Sequence, residues 1–468
     1  MAKRIGLWLG LALFAAMLLL PAPAGLSPVG WRVAAVAVLM ATWWMTEALP
    51  LTATALLPFL VFPLAGAGTA AEVAGDYYSP VLFLVLGGAF IALAIERCGL
   101  HRRIALAILN RAGASTGGLL FAFMAATAFV SMFVSNTATT VIMIPMAVAL
   151  IRAMSPDGPG EDARRLGAAL VLGVAYAASL GGLGTLVGSP TNAIAAGLIE
   201  KTTGLEVNFV TWLAFGLPLV AVSVPIAWWL IARALRVAHA TLDRAAVAAT
   251  IGTPGPLTTP ERRLLPLLAA VVAAWILLPF VGPALGLPKI DDGMIAVAGG
   301  LLLFALPDGR GSTLLTWPET RGAPWDVILM FGGGLALAEG ITGSGLALWI
   351  GQQLESVATL PVWAVALLLT AIVILVTEFA SNVATASGFL PVIAGLTVAT
   401  GIDPALLALP AACAASWGFM LPAGTGPNAL AFATGYPRMG EFLRAGFGLD
   451  LVGVPLIVAV CFAVAALT

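Results

Sequence analysis

Charge is scarce in this sequence. Of its 468 residues, 9% are Asp, Glu, Lys or Arg, whereas 61% are hydrophobic and mean hydropathy is +1.05. Soluble domains carry about 25% charged residues, so a water-soluble globular protein is excluded. Twenty-one Lys and Arg stand against 22 Asp and Glu, a net charge of −1. That balance gives no reason to expect nucleic acid or an acidic polymer as a partner. Histidine is reduced to His101 and His239, which read as members of basic cytoplasmic loops with no site role. Cysteine is reduced to Cys98, Cys413 and Cys461, an odd, scattered set with neither a disulfide framework nor metal-ligand spacing. With no His-Glu-x-x-His motif and no histidine in an apolar run, an intramembrane enzyme lacks its base or metal set.

What is abundant is long apolar sequence. A spanning helix needs about 20 mainly apolar residues. Crossings are expected at 6–22, 32–47, 50–66, 80–97, 167–199, 209–234, 264–284, 293–307, 325–343, 404–432 and 444–467. The first follows Lys3 and Arg4 and resembles a signal peptide, but it reads as a span because the topology needs that crossing. Two further stretches, 117–154 and 360–400, each hold two apolar arms around a polar centre and read as re-entrant hairpins. With the N-terminus in the cytoplasm and the C-terminus outside, 18 of the 21 Lys and Arg fall on the cytoplasmic side. Arg32, Lys201 and Lys289 are the exceptions. That is the positive-inside pattern. It supports the eleven crossings but does not separate a hairpin from a pair of spans. Trp43-Trp44 reads as an interfacial anchor and Glu47 as a structural residue at the end of a crossing.

The sequence also repeats itself. Leu86-Gly87-Gly88-Ala89-Phe90 is matched by Phe331-Gly332-Gly333-Gly334-Leu335. Ser135-Asn136-Thr137-Ala138-Thr139 is matched by Ser381-Asn382-Val383-Ala384-Thr385, and each is followed by a proline, Pro145 and Pro391. Gly188-Ser189-Pro190-Thr191-Asn192-Ala193 is matched by Gly424-Thr425-Gly426-Pro427-Asn428-Ala429. The order is the same each time, at offsets of 245, 246 and 236 residues. Five crossings separate the hairpins, so the second unit is inverted relative to the first. Inverted repeats with a binding site at their interface are a transporter architecture.

The repeat boundaries suggest an organisation. Residues 1–79 are mainly scaffold, and 80–208 form the first repeat. Residues 209–324 are scaffold helices with a cytoplasmic loop at 235–263. The second repeat is 325–443, and 444–468 is the last helix.

The polar centres carry the chemistry. Proline removes a backbone donor and clashes with the preceding turn, so 188–192 and 424–428 are expected to break their crossings. A broken helix frees carbonyls, which suit Na⁺, and N–H groups, which suit an anion. Ser131 and Ser135, like Thr377 and Ser381, are four apart and are expected on one helical face. Asn136 and Asn382 both donate and accept, so each can touch cation and anion together. The centres and breaks hold no Lys or Arg. A bound dianion would therefore be balanced by bound cations and helix ends. Glu378, beside the second centre, reads equally as a functional acid or as a hydrogen-bonded structural carboxyl.

These residues resemble the divalent anion/sodium symporter family, which includes dicarboxylate and citrate carriers. The resemblance covers nearly the whole chain. It rests on Trp43 to Pro50, Gly99 to Arg103, Ser135-Asn136-Thr137, Thr377-Glu378 with Ser381-Asn382, and the run from Ser416 to Asn428. It implies an all-α polytopic membrane protein of eleven transmembrane helices and two re-entrant hairpins, a homodimer in the lipid bilayer of the bacterial inner membrane. Transport would follow an elevator mechanism.

The resemblance also implies two sodium sites and no organic cofactor. The first takes Ser131, Ser135, Asn136 and the backbone of Gly188. The second takes Thr377, Asn382 and the carbonyls of Ala380 and Gly424. Substrate is expected at Asn136, Thr137, Ser381, Asn382 and Val383, with Ser189, Pro190, Thr425 and Gly426 at the breaks. The implied activity is sodium symport of C4-dicarboxylates such as succinate, malate or fumarate. Citrate or sulfate symport, sodium-independent exchange and an anion channel are the alternatives. Val383 stands where the family pattern has threonine, and Gly426 where it often has proline, so substrate identity is the least fixed of these expectations.

Overall fold

The computed structural model describes residues 2–111, 115–154, 160–237, 252–353 and 360–467. His239 and much of the expected cytoplasmic loop lie outside them. The described chain is helical apart from short connections and one isolated bridge between Pro307 and Thr313.

Six helices come first among the described residues: α1 (Ala2–Leu19), α2 (Pro28–Thr46), α3 (Leu51–Thr54), α4 (Leu57–Ala65), α5 (Ala70–Asp76) and α6 (Pro80–Cys98). The first repeat continues from α6 through α7 (Leu100–Leu109), α8 (Thr116–Ser131), α9 (Asn136–Met154), α10 (Glu161–Gly182) and α11 (Pro190–Thr203). Three linking helices follow: α12 (Phe209–Ala234), α13 (Thr259–Ala284) and α14 (Asp292–Ala305). The second repeat is α15 (Trp325–Gly343), α16 (Leu346–Gln353), α17 (Val362–Thr377), α18 (Asn382–Thr400), α19 (Pro404–Ala414) and α20 (Gly426–Ala433). The last helix is α21 (Met439–Ala465).

Local sequence sets many of these boundaries. Ser79, Ser115, Ser189 and Asn208 are N-caps whose side chains accept a first-turn N–H, and Pro80 and Pro190 occupy the first helical position, where no donor is missed. Gly99 and Gly204 end their helices with positive φ, a conformation glycine adopts without strain. Small residues let helices touch backbone to backbone, as in membrane bundles. A Cβ on Gly87 would lie 2.4 Å from the Ala296 carbonyl carbon, and one on Gly181 would lie 2.2 Å from the Ala128 carbonyl oxygen. These contacts join α6 to α14 and α8 to α10.

Among the described residues, nine helices are long and apolar enough to cross a membrane. The expected span 50–66 is broken into two short helices, α3 and α4, with Pro58 in the first turn of the second. The expected spans 167–199 and 404–432 are each two helices with an irregular break between them, α10 with α11 and α19 with α20, and α10 alone is long enough to cross. Trp43 and Trp44 are not interfacial anchors. Both are buried, and their indole N–H groups donate to the carbonyls of Leu7 and Leu51. Nor is His101 in a loop: it is buried on α7, with Nδ1 3.0 Å from the Ile95 carbonyl oxygen. Glu47 is structural as expected, a left-handed C-cap of α2 paired with Lys3.

Candidate functional site

The first polar centre is the gap between α8 and α9. Ser131 closes α8, and its Oγ is 2.7 Å from Asn136 Oδ1 and 2.7 Å from the carbonyl oxygen of Ala178 on α10. A hydroxyl has one proton, so it satisfies one of these neighbours and faces the other oxygen to oxygen. The second centre repeats this arrangement. Thr377 Oγ1 is 3.0 Å from Asn382 Oδ1 and 2.7 Å from the carbonyl oxygen of Ala415. Ser131 and Thr377 are fully buried. Buried oxygens crowded beyond their supply of protons are what a hard cation satisfies.

The two breaks fold back onto these centres. Asn192, in the first turn of α11, donates from Nδ2 to the carbonyls of Gly182 (2.7 Å) and Thr185 (2.8 Å). Asn428, in the first turn of α20, donates to the carbonyls of Gly418 (3.2 Å) and Leu421 (3.2 Å). Each asparagine leaves its Oδ1 buried without a hydrogen-bond partner among the described residues. Gly188 and Gly424 sit close to other backbone oxygens. A Cβ on Gly188 would lie 2.6 Å from the Gly182 oxygen and 2.9 Å from that of Met132. One on Gly424 would lie 3.4 Å from the Glu378 oxygen and 3.6 Å from that of Thr377.

The breaks are closed by different chemistry. In the first, the Thr185 hydroxyl donates to the Met132 carbonyl. In the second, Glu378 takes the place that Met132 holds in the first, 246 residues earlier. Its carboxylate accepts backbone N–H groups from Phe419, Met420 (2.9 Å) and Leu421 (2.9 Å). Glu378 is thus the hydrogen-bonded structural carboxyl, and it is the only charged residue in the four segments 131–137, 182–192, 377–383 and 415–428.

The sequence matches the family described as the sodium:sulfate symporter transmembrane region over residues 1–466. The chain belongs to that family. The sodium-dependent dicarboxylate transporter SdcS of Staphylococcus saprophyticus is 38% identical over 472 residues, covering 98% of this chain and 91% of the relative. The SdcS of Staphylococcus aureus USA300 is 37% identical with the same coverage. Two solved structures share the fold. The Alcanivorax borkumensis YdaH transporter matches with TM-score 0.57 and 17% identity, over 92% of this chain and 98% of its own. Neisseria gonorrhoeae MtrF matches with TM-score 0.55 and 12% identity, over 97% of this chain and 94% of its own. The relatives are transporters, and an intramembrane enzyme is excluded.

Within this family member, the site residues read from the sequence divide into groups. Ser131 with Asn136, and Thr377 with Asn382, meet as described. Ser135 and Ser381 do not share a helical face with Ser131 and Thr377, because α8 and α17 have already ended. Their hydroxyls instead accept the N–H groups of Ala138 and Ala384, both at 3.2 Å, and start the next helix. Ser189 and Thr425 likewise cap α11 and α20. Thr137 and Gly426 bring the repeats together, since a Cβ on Gly426 would lie 2.7 Å from Thr137 Oγ1. Ala380 is buried and Val383 half-buried beside the second centre.

A cavity of about 470 Å³ reaches Ser135, Thr137, Gly188, Ser189 and Pro190. It does not reach Ser381, Asn382, Val383, Thr425 or Gly426. Sequence reasoning missed three participants. Glu96 lines this cavity from α6; nothing in its local sequence marks it. Asn192 and Asn428 were within reach, because each follows its break proline at the same place in the two repeats.

Proposed function

We propose that this chain is a secondary active transporter that carries small dicarboxylate anions inward together with Na⁺, C4-dicarboxylates such as succinate, malate and fumarate being its substrates. The observation that carries this reading is the mirrored pair of oxygen clusters, Ser131–Asn136–Ala178 and Thr377–Asn382–Ala415. The relatives named as sodium-dependent dicarboxylate transporters support it.

One Na⁺ binds at Ser131, Ser135, Asn136 and Gly188, and another at Thr377, Ala380, Asn382 and Gly424. The anion meets Asn136, Thr137, Ser381, Asn382 and Val383, with the α11 and α20 N-termini at Ser189, Pro190, Thr425 and Gly426. Because no Lys or Arg lies in these segments, bound sodium supplies the positive charge that holds the anion.

In this account the repeats 80–208 and 325–443 form the moving part of an elevator, carried by scaffold helices in 1–79 and 209–324. Eleven crossings and two re-entrant hairpins put the N-terminus in the cytoplasm and the C-terminus outside, in a homodimer of the bacterial inner membrane.

The test is uptake of radiolabelled succinate into proteoliposomes. An inward sodium gradient is expected to drive accumulation. Uptake indifferent to sodium and accelerated by internal dicarboxylate would replace symport with exchange.

A further inference from the structure

Helices α6, α7, α8 and α13 enclose a second cavity, of about 320 Å³. Helix α6 lines it with Gly88, Ile91 and Ile95, and α13 lines it from Leu265 to Trp275. The turn after α8 adds Phe133 and Val134. An apolar cavity of about 150 Å³ is already large enough to take up benzene. Three lining residues, Phe129, Leu265 and Ala269, are exposed on the outside of the bundle. All three are apolar and lie in stretches expected within the bilayer, so the way in is from hydrocarbon.

Among the described lining residues, only Trp275 and His101 carry a polar side-chain atom. The Trp275 indole N–H is spent on the Asp292 carbonyl oxygen at 3.1 Å. His101 is 7% exposed, and its Nδ1 lies 3.0 Å from the Ile95 carbonyl oxygen. That contact requires the proton on Nδ1, so Nε2 of the neutral ring is an acceptor. Nε2 has no hydrogen-bond partner among the described residues. A buried water needs about two to four polar partners, and the lining side chains offer one free acceptor. A single donor on an apolar body fits that inventory.

The cavity adjoins the one of about 470 Å³. Gly88 and Val187 line both, and a Cβ on Gly88 would lie 3.2 Å from Val187 Cγ1. Val187 immediately precedes Gly188 at the first break. An occupant of the apolar cavity therefore meets the side chain next to Gly188 without entering the larger cavity.

We propose that this cavity binds a single-chain lipid ending in a hydroxyl, its alkyl chain among the apolar side chains of α6, α8 and α13 and its hydroxyl donating to His101 Nε2. Bound there, the chain is a wedge. It touches α13, which belongs to the scaffold segment 209–324, and it touches Phe129 to Val134 and Val187, which belong to the moving repeat 80–208. An occupied cavity ties the two together and slows transport without competing with the anion. The wedge rests on the transport reading; the binding does not.

Photolabelling of the full-length protein in proteoliposomes tests the binding. The probe is 1-decanol carrying a diazirine in its chain, and labelled peptides are located by mass spectrometry. Saturable label is expected in α7, 129–134 and 265–275. Unlabelled 1-decanol is expected to displace it, and decyl methyl ether, which cannot donate, to displace it about tenfold more weakly. His101→Phe is expected to erase that preference, and Val272→Phe, which fills the cavity, to lose the label. The competition in wild type decides the matter even if a variant fails to fold. Equal displacement by alcohol and ether, or label spread without saturation over the exposed apolar faces, would overturn the site. Labelled protein, washed free of alcohol, is expected to take up succinate at a rate reduced in proportion to its label. Full uptake by labelled protein would overturn the wedge. Unlabelled protein in which sodium drives no uptake would instead overturn the transport reading, leaving the labelling result intact.

Discussion

Asn192 and Asn428 stand 236 residues apart and make the same two hydrogen bonds. Each donates from its side-chain nitrogen to the carbonyls ten and seven residues before it, and each keeps its side-chain oxygen buried and without a partner among the described residues. A half-helix end, an irregular turn and the next half-helix start are thus fixed by one amide in both repeats. The two breaks are one device built twice.

Removing either amide leaves two buried carbonyls without their donor. Asn192→Ala and Asn428→Ala are each expected to destabilise the protein by about 1–3 kcal/mol. Thermal unfolding in detergent should show the loss, and sodium at saturating concentration should recover less stability than in wild type. An unchanged melting temperature in both variants would show that the breaks are held by other contacts.

The counterpart glycines of the two repeats are expected to differ. A Cβ on Gly182 would lie 2.3 Å from Asn136 Oδ1, whereas one on Gly418 approaches nothing closer than the Thr377 methyl at 3.2 Å. Gly182→Ala therefore displaces Asn136 and is expected to raise the sodium concentration needed for half-maximal uptake about tenfold or more. Gly418→Ala is expected to stay within about threefold of wild type. Equal sensitivity of the two positions to alanine would contradict the geometry.

In the proposed site Asn136 joins sodium and anion, so Asn136→Ala is expected to abolish sodium-dependent uptake. Its melting temperature should stay close to wild type, because Asn136 lies at the start of α9 and the Ser131 hydroxyl that donates to it keeps the Ala178 carbonyl as a partner. Near-normal uptake by a folded Asn136→Ala would refute the site.

Away from the membrane-spanning segments, Arg103 donates from Nε and Nη2 to Glu261 at 2.6 and 3.0 Å, and also to the carbonyls of Gly255 and Pro256. The Arg103 hydrogen bonds hold the Glu261 carboxyl down to about 2, against an ordinary 4.5. A lowered folded-state pKa gives stability that is present above the ordinary value and is lost as pH falls toward the lower one. Melting temperature is expected to drop as pH falls from about 4.5 toward about 2. Glu261→Gln should be less stable at neutral pH and show a shallower acid dependence. A variant with the wild-type acid profile would remove Glu261 from that role.

Much of this architecture was legible in the sequence because two kinds of signal are local. Proline and glycine mark breaks wherever they fall, so 188–192 and 424–428 were readable as interruptions. Repetition then paired Asn136 with Asn382. What escaped depends on neighbours distant in sequence. The four-residue spacing of Ser131 and Ser135 suggested one helical face, but the helix stops at Ser131 and Ser135 starts the next. The tryptophan pair resembled an interfacial belt, yet both indoles reach carbonyls inside the bundle. The partners of Glu378 lie 41 to 43 residues along the chain, and only the folded second break brings them to its carboxylate.

The central claim is that sodium supplies the charge that an otherwise cation-free site needs to hold its anion. Equilibrium binding of succinate to the purified protein, measured by calorimetry in sodium and again with choline replacing it at equal ionic strength, tests this directly. Binding is expected in sodium and is expected to vanish in choline. Succinate binding of equal strength in both would contradict the account.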